Sequence, residues 1–175
     1  MGKKYRPRPG MSWSAMRKIL EQDNICDSLK GRIQYFQTCY RGAHDQTGRV
    51  AIRLDGKEIF QVDYFCSQGK YYEAWDEIKE RAKDIGYAER HEQAYLISSN
   101  QVGDHSFYNA FYYYHNNSID KSLVSPDATV RLFAILDRRI GKRRLHKILT
   151  EVEKQPEWLQ VFFKLRLEAE GISNG

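Results

Sequence analysis

The segment RVAIRLDGKEIFQV, residues 49–62, contains the clearest hairpin signal in this sequence. Polar and apolar side chains alternate along residues 49–54, as they do in a half-buried strand. Asp55-Gly56 follows, and glycine tolerates the positive φ that a two-residue hairpin turn requires. Residues 57–62, KEIFQV, can form the returning strand. The segment therefore predicts an antiparallel β-hairpin.

Two further segments are interpreted as strands. Residues 32–41, RIQYFQTCYR, are rich in aromatic residues and contain a threonine, which favours a strand that pairs with the hairpin. Residues 107–115, FYNAFYYYH, would place large rings on both faces of a strand. A strand that is apolar on both faces is usually covered on both, so this one is expected at the centre of the sheet. The sheet then has about four strands.

Helical periodicity is clearest over residues 71–85, where apolar residues recur at helical spacing and Gly86 follows as a stop signal. The wider segment 71–92 carries seven acidic and four basic residues, which we assign to a solvated face. A shorter helix is expected after Ser12, whose hydroxyl can cap it. Periodicity leaves open whether residues 88–98 form a helix or an extended segment.

Three helices are expected in the last third of the chain. Ser125-Pro126-Asp127 is a helix start signal, and Gly141 ends the first of these helices. The second is predicted over residues 142–155 and the third over 156–170. The predicted fold class is therefore α+β, with an antiparallel sheet, an amphipathic helix against it and a C-terminal three-helix unit.

Composition predicts a single folded domain over residues 11–175, preceded by a disordered basic tail at residues 1–10. Hydrophobic residues make up 41% of the 175 residues, and 12 Tyr, 8 Phe and 3 Trp provide the large rings of a core, which excludes disorder for most of the chain. No apolar run approaches the roughly 20 residues that span a bilayer. Three cysteines without a CxxC pair favour reduced thiols in a cytoplasmic protein.

The net charge of +5 is concentrated locally. Residues 131–147 carry seven basic residues and one acid, at the joint between the first two C-terminal helices. A local cluster of cations beside the free N–H groups that begin a helix suits the phosphates of a nucleic acid. Ile-Gly-x-x-x-Leu in this joint is similar to the second half of a helix-hairpin-helix element, without its preceding glycine. The predicted anion-binding residues are Arg138, Arg139, Lys142, Arg143, Arg144 and Lys147.

Other interpretations of these features stay open. The joint can be a solvated basic rim in which Asp137 pairs with a nearby arginine, or it can bind an acidic protein surface. Exposed rings of 107–115 could stack unpaired bases. Paired with their carboxylates, His44-Asp45, Asp104-His105 and His115 could act as metal ligands or as general bases, although no HxH or HxxxH spacing links them.

The acids and the lysine around the hairpin turn superficially suit a metal-dependent nuclease. In that arrangement Asp45 and the acids of Asp55-Gly56-Lys57-Glu58 would hold Mg²⁺, and the lysine would activate water. The turn itself already accounts for Asp55-Gly56, and a catalytic lysine is expected within a strand. No P-loop, GxSxG, HExxH or GxGxxG motif occurs, and we predict no metal site and no cofactor.

Several segments resemble a family of small uncharacterised bacterial proteins. They are MSWSAMRKIL at 11–20, HDQTGRVAIRLDGKEI at 44–59, LFAILDRRIGKRRL at 132–145 and WLQVFFKLRLEAEGI at 158–172. The resemblance extends from Met11 to Ile172. It implies a cytosolic protein of a bacterium or mobile element, and it assigns no catalytic residue because no activity is established for that family.

The sequence thus favours a non-enzymatic accessory protein that binds nucleic-acid phosphates through the basic joint. The first alternative is a protein-interaction or inhibitor module that uses the acidic face of 71–92 as well as the joint. The second is the metal-dependent nuclease.

Deleting residues 1–10 should leave the fold intact, because the tail lacks apolar residues at helical or strand spacing. The measurement is the thermal unfolding midpoint of the full chain and of the truncated one. A midpoint lowered by more than about 4 °C, or about 1 kcal/mol at this size, would show that the tail packs on the domain.

Overall fold

A computed structural model describes residues 10–38 and 48–172 of the chain. The fold is α+β: eight α-helices and a three-stranded antiparallel sheet lie within these residues. His44 and Asp45 and most of the basic tail lie outside the described residues.

The N-terminal part of the described chain leads from a helix to the sheet. Helix α1 (Trp13–Lys18) begins as predicted at Ser12, whose Oγ accepts a hydrogen bond from the Ala15 amide. It continues into a π-helical turn, Ile19–Asp23, and a 3-10 turn follows at Asp27–Leu29.

The sheet has the strand order β1-β2-β3, with β1 at Ile33–Gln37, β2 at Arg49–Leu54 and β3 at Lys57–Asp63. The register places Tyr35 opposite Ile52, and Val50 opposite Val62. All four of these side chains are buried, so one face of the sheet packs on the core. The predicted hairpin and its pairing with the preceding strand are confirmed.

The prediction of a central strand over residues 107–115 was wrong. This segment forms helix α4 (Phe107–Asn116), capped by Ser106, and it buries Phe107, Ala110, Phe111 and Tyr114. These positions have the spacing of one helical face. Because six of its nine residues are Phe or Tyr, the segment fits the strand period and the helix period together. Three strands rather than about four therefore form the sheet in the described part of the chain.

A helical hairpin follows the sheet. Helix α2 (Tyr64–Arg81) begins seven residues before the predicted start, because the Asp63 side chain caps it by accepting from the Cys66 amide. Its C-cap is Ala82, before the stop predicted at Gly86. Gly86 instead precedes helix α3 (Tyr87–Val102). The segment that was left open is thus helical. The hairpin has its own small buried cluster, made by Ala74, Ile78 and Ala94.

The C-terminal three-helix unit is confirmed, with shorter elements than predicted. Helix α5 (Ile119–Leu123) precedes it, and the unit itself comprises α6 (Ala128–Ile135), α7 (Lys142–Ile148), a 3-10 segment (Leu149–Lys154) and α8 (Glu157–Ala169). Asp127 caps α6 by accepting from the amides of Thr129 and Val130. Helix α6 is buried along its whole length, which makes it the centre of the main core.

We expect Gly56→Val to destabilise the protein by about 1–3 kcal/mol. Asp55 and Gly56 have φ values of 51° and 80°, so the turn requires positive φ at both positions. A Cβ at Gly56 would meet no other atom within 4 Å, so the loss would come from backbone strain alone. Thermal or urea unfolding measures it, with Gly56→Asn as the matched control, because asparagine tolerates positive φ. Equal stability of the wild type and the valine variant would contradict this account of the turn.

Candidate functional site

The basic joint, residues 137–141 between α6 and α7, is fixed by backbone pairing with the N-terminal segment. The Cys26 amide donates to the Leu136 carbonyl at 3.0 Å, and the Arg138 amide donates to the Asn24 carbonyl at 2.7 Å. Between them, Ile25 and Asp137 form an isolated antiparallel bridge. The joint therefore has a defined shape although it lies between two helices.

Asp137 is the buried anchor of the joint, with 1% of its surface exposed. Its carboxylate accepts hydrogen bonds from the Tyr114 hydroxyl and from the Arg139 amide, the latter at 2.7 Å. The Arg139 guanidinium completes an ion pair with it at 2.6 Å. Burial and the neighbouring Asp137 carboxylate both raise the pKa of Tyr114, so the hydroxyl stays protonated and donates. The expected pairing of Asp137 with a nearby arginine is thus present.

Arg166 of α8 holds the other side of the joint. Its side chain is buried, its Nη2 donates to the Ile140 carbonyl at 3.1 Å, and its Nη1 pairs with Glu170 one turn later on α8. The carbonyl that precedes Gly141 is therefore fixed to the last helix of the domain.

The six predicted anion-binding residues are all exposed, but the structure divides them into two groups. Arg139 forms an ion pair with Asp137, and Arg144 forms one with Asp120 at 3.0 Å. The other four form no ion pair with any carboxylate of the described residues, and we call them the outer basic face: Arg138, Lys142, Arg143 and Lys147.

The helix geometry explains why this face is open. Leu145 and Ile148 are the buried positions of α7. At about 100° per residue, Arg143 and Lys147 lie on the opposite side of the helix, and Lys142 lies on its flank. With seven residues, α7 has only about two turns of aligned peptide dipoles. The side-chain charges, rather than the helix N-terminus, therefore define this candidate site.

The histidine candidates do not come together in the described residues. His105 Nδ1 lies 2.9 Å from Asp104 Oδ1, and His115 stacks on the ring of Phe111. Burial raises the pKa of Asp104, but the interactions with His105, Asn109 and the Ser106 amide together outweigh it, and the net shift of the pKa is downward. Within residues 10–38 and 48–172, no group of three or more His, Cys, Asp or Glu side chains has the arrangement of a metal site.

The hairpin turn gives the nuclease hypothesis no support. The Asp55 carboxylate accepts two hydrogen bonds from Arg32, at 2.9 and 2.6 Å, and it lies in the tight turn itself. Glu58 is paired with Arg49 at 2.6 Å. These acids have structural partners on the sheet.

The aromatic segment 107–115 is not a base-stacking strand. The Tyr114 ring is buried, and the Tyr112 hydroxyl accepts a hydrogen bond from the Met11 amide at 2.8 Å. Both tyrosines therefore support α4 and its packing on the N-terminal segment.

Sequence reasoning missed a groove of about 550 Å³ beside α7, with Arg131 of α6 in its lining. Arg131 is buried, and this burial lowers its pKa. The signal in the sequence is an arginine within the otherwise apolar ATVRLFAI of α6. Periodicity placed this helix but gave no indication of what the arginine contacts.

The hairpin of α2 and α3 presents a second unexpected surface. Four large rings on it are strongly exposed: Phe65, Tyr72, Tyr87 and Tyr95. A groove of about 420 Å³ lies between the two helices. Tyr71 and His91 both line it, and the Tyr71 hydroxyl is hydrogen-bonded to His91 Nδ1 at 2.7 Å.

Fold and site together define a small α+β protein with an anchored basic joint. The chain belongs to the SF0329 protein family, whose family model matches residues 12–167. The expectation that nearly the whole chain resembles one family is confirmed. Comparisons with curated proteins and with solved structures give no match. In the described residues, no helix has the length and apolar character needed to cross a membrane.

Arg139→Gln should destabilise the protein by about 1–3 kcal/mol, because the buried Asp137 carboxylate loses its counter-charge but keeps the hydrogen bonds from Tyr114 and from the backbone amide of residue 139. Arg138→Gln is the matched control, since Arg138 is exposed and forms no ion pair in the described part of the chain. Urea unfolding of both variants tests the difference. If the two arginines prove equivalent, the Asp137 network does not anchor the joint.

Proposed function

We propose that this protein binds the phosphate backbone of nucleic acid through the outer basic face. The observation that carries the proposal is a cluster of exposed cations that form no ion pair with a carboxylate of the described residues. Asp27 attracts the charge of Arg138 without an ion pair, so Lys142, Arg143 and Lys147 contribute most of the positive field. The only acid between residues 131 and 147 is Asp137, which is buried and already paired with Arg139. The charge of the outer basic face is therefore directed to solvent.

Other unpaired cations of the chain differ from this cluster in their surroundings. Lys79, Arg81 and Lys83 are also exposed and form no ion pair in the described residues. They lie within the segment 71–92, where seven acids outnumber four basic residues. Their local field is thus not positive, whereas the field at α7 is.

The chemistry of the outer basic face favours contacts to phosphate over contacts to bases. No asparagine or glutamine occurs between residues 138 and 147, so the side chains that typically bind adenine are missing from the joint and from this part of α7. Lysine and arginine contacts to phosphate position a protein without selecting a sequence. The proposed function is therefore that of a non-enzymatic accessory protein of the bacterial cytoplasm with slight sequence preference.

The exposed rings of the α2–α3 hairpin favour a second candidate, a protein-interaction module. Aromatic side chains are enriched at protein interfaces, and four of them are strongly exposed on this hairpin. In that case the outer basic face would bind an acidic surface of the partner protein rather than nucleic acid.

Duplex binding by the wild type should weaken steeply with salt. If each residue of the outer basic face neutralises one phosphate, the slope of log K against log salt is about −4. The triple variant R138Q/K142Q/R143Q should weaken binding uniformly across sequences and reduce the magnitude of that slope by up to about 3. Fluorescence titration of several labelled duplexes at a series of salt concentrations measures both quantities.

The matched control is K79Q/R81Q/K83Q, which removes an equal number of positive charges from the acidic segment 71–92. Its binding should equal that of the wild type. If the two triple variants weaken binding equally, only net charge matters and the site is wrong. If the wild type binds no duplex or single strand more tightly than about 10⁻⁴ M at low salt, the protein-interaction candidate replaces the nucleic-acid one.

A further inference from the structure

The groove of about 550 Å³ beside α7 has the size of a small-molecule site. Helices α5 and α7, the α5–α6 loop and the 3-10 segment at Leu149–Lys154 form its walls. Arg131 of α6 and Phe163 of α8, both buried, also line it, as does Asn100 of α3. The groove therefore lies where six helical elements meet.

Arg131 has a buried positive charge with no hydrogen-bonded carboxylate. Its side chain donates to three neutral oxygens: Gln155 Oε1 at 2.8 Å, the Ser125 carbonyl at 2.7 Å and the Asn100 carbonyl at 3.1 Å. A guanidinium has five N–H donors, so two are left for another acceptor. Asp127 lies close enough to attract the charge, but the hydrogen bonds of its carboxylate go to the first amides of α6.

The remaining charges around the groove leave a positive excess. Two of the four lining cations are ion-paired within it, at 3.0 and 2.9 Å: Arg144 with Asp120, and Lys154 with Glu151. Lys147 and Arg131 form no ion pair within the described residues, although Asp127 offsets part of the Arg131 charge. The four cations and two carboxylates that line the groove therefore leave an excess of positive charge, one part of it buried and one exposed.

The rest of the lining is apolar, and part of it is uncovered. The apolar lining residues are Leu123, Val124, Pro126, Ile148 and Phe163. Val124 is 80% exposed although it adjoins the buried part of the groove. An occupant that combines an anionic group with a flat apolar one would satisfy both halves of this lining.

We propose that this groove binds a phosphate monoester of a compound that also carries a planar ring. Arg131 and Lys147 receive the phosphate, whose charge of about −1.5 to −2 at neutral pH is attracted by the positive excess of the lining. The ring lies against Val124 and the neighbouring apolar wall. A mononucleotide and the 5′-phosphorylated end of a strand both have this chemistry.

This site is separate from the proposed binding of a phosphate backbone. Lys142 and Arg143 point to solvent and do not line the groove, whereas Lys147 lies at the boundary of the two surfaces. Variants of the outer basic face that spare Lys147 therefore test one proposal, and variants of the groove wall test the other.

The experiment titrates the full chain with adenosine 5′-monophosphate, adenosine and inorganic phosphate, followed by calorimetry. The monophosphate should bind more tightly than either fragment. Val124→Trp fills the apolar wall, and Lys147→Gln removes the rim charge. Each should weaken monophosphate binding by about tenfold or more, which corresponds to about 1.4 kcal/mol. Substitution of Arg131 is avoided because its three hydrogen bonds hold the surrounding elements together.

Two matched controls accompany these variants. Val161→Trp changes a partly exposed valine of α8 outside the groove, and Lys79→Gln removes an unpaired lysine of α2 outside it. Both should bind the monophosphate as the wild type does. A short single strand with a 5′-phosphate should bind more tightly than its 5′-hydroxyl form if strand ends are the source of the ligand. The proposal is overturned if the monophosphate binds no better than adenosine, or if Val124→Trp and Lys147→Gln leave its affinity unchanged.

Discussion

The buried carboxylate of Asp137 is the constraint on which the shape of the basic joint depends. A carboxylate removed from water is stable only when hydrogen bonds and a counter-charge compensate it. Tyr114 of α4 and Arg139 of the joint supply both, and the Asn24 side chain donates to the Tyr114 hydroxyl at 3.0 Å. Because these groups come from three separate parts of the chain, satisfying one buried charge fixes α4, the joint and the N-terminal segment relative to each other.

Fixing the joint in this way separates arginines that look equivalent in the sequence. Arg139 and Arg166 are committed to the joint itself, one through Asp137 and the other through the Ile140 carbonyl. Arg138 and Arg143, in the same run of basic residues, are left to solvent. The anchored joint fixes the backbone positions of these residues, so the conformational entropy lost on binding a polyanion would come from their side chains and not from the joint.

The parts of the fold that local chemistry decides were predictable from the sequence. The hairpin follows from Asp55-Gly56, since positive φ at two successive residues is a local requirement, and the start of α6 follows from its cap at Asp127. The segment 107–115 was not predictable, because its six Phe and Tyr residues fit both periods and only packing against the core selects the helix. The excess of basic residues at the joint could be counted directly in the sequence. The groove could not be predicted, because the acceptors of Arg131 are contributed by α3, by the α5–α6 loop and by Gln155, which follows the 3-10 segment.

Helix α7 thus separates two positive regions that differ physically. On its outer side the charges are exposed to salt, which screens them over a Debye length of about 8–10 Å at moderate ionic strength. On the groove side the Arg131 charge is buried, where screening is weaker and a partner must match direction as well as charge. An extended polyanion satisfies the first region, since it needs only charge density. The second requires a compact anion that can enter the groove. Lys147, which borders both, lies where an anion held in the groove and a backbone on the outer basic face would compete for one charge.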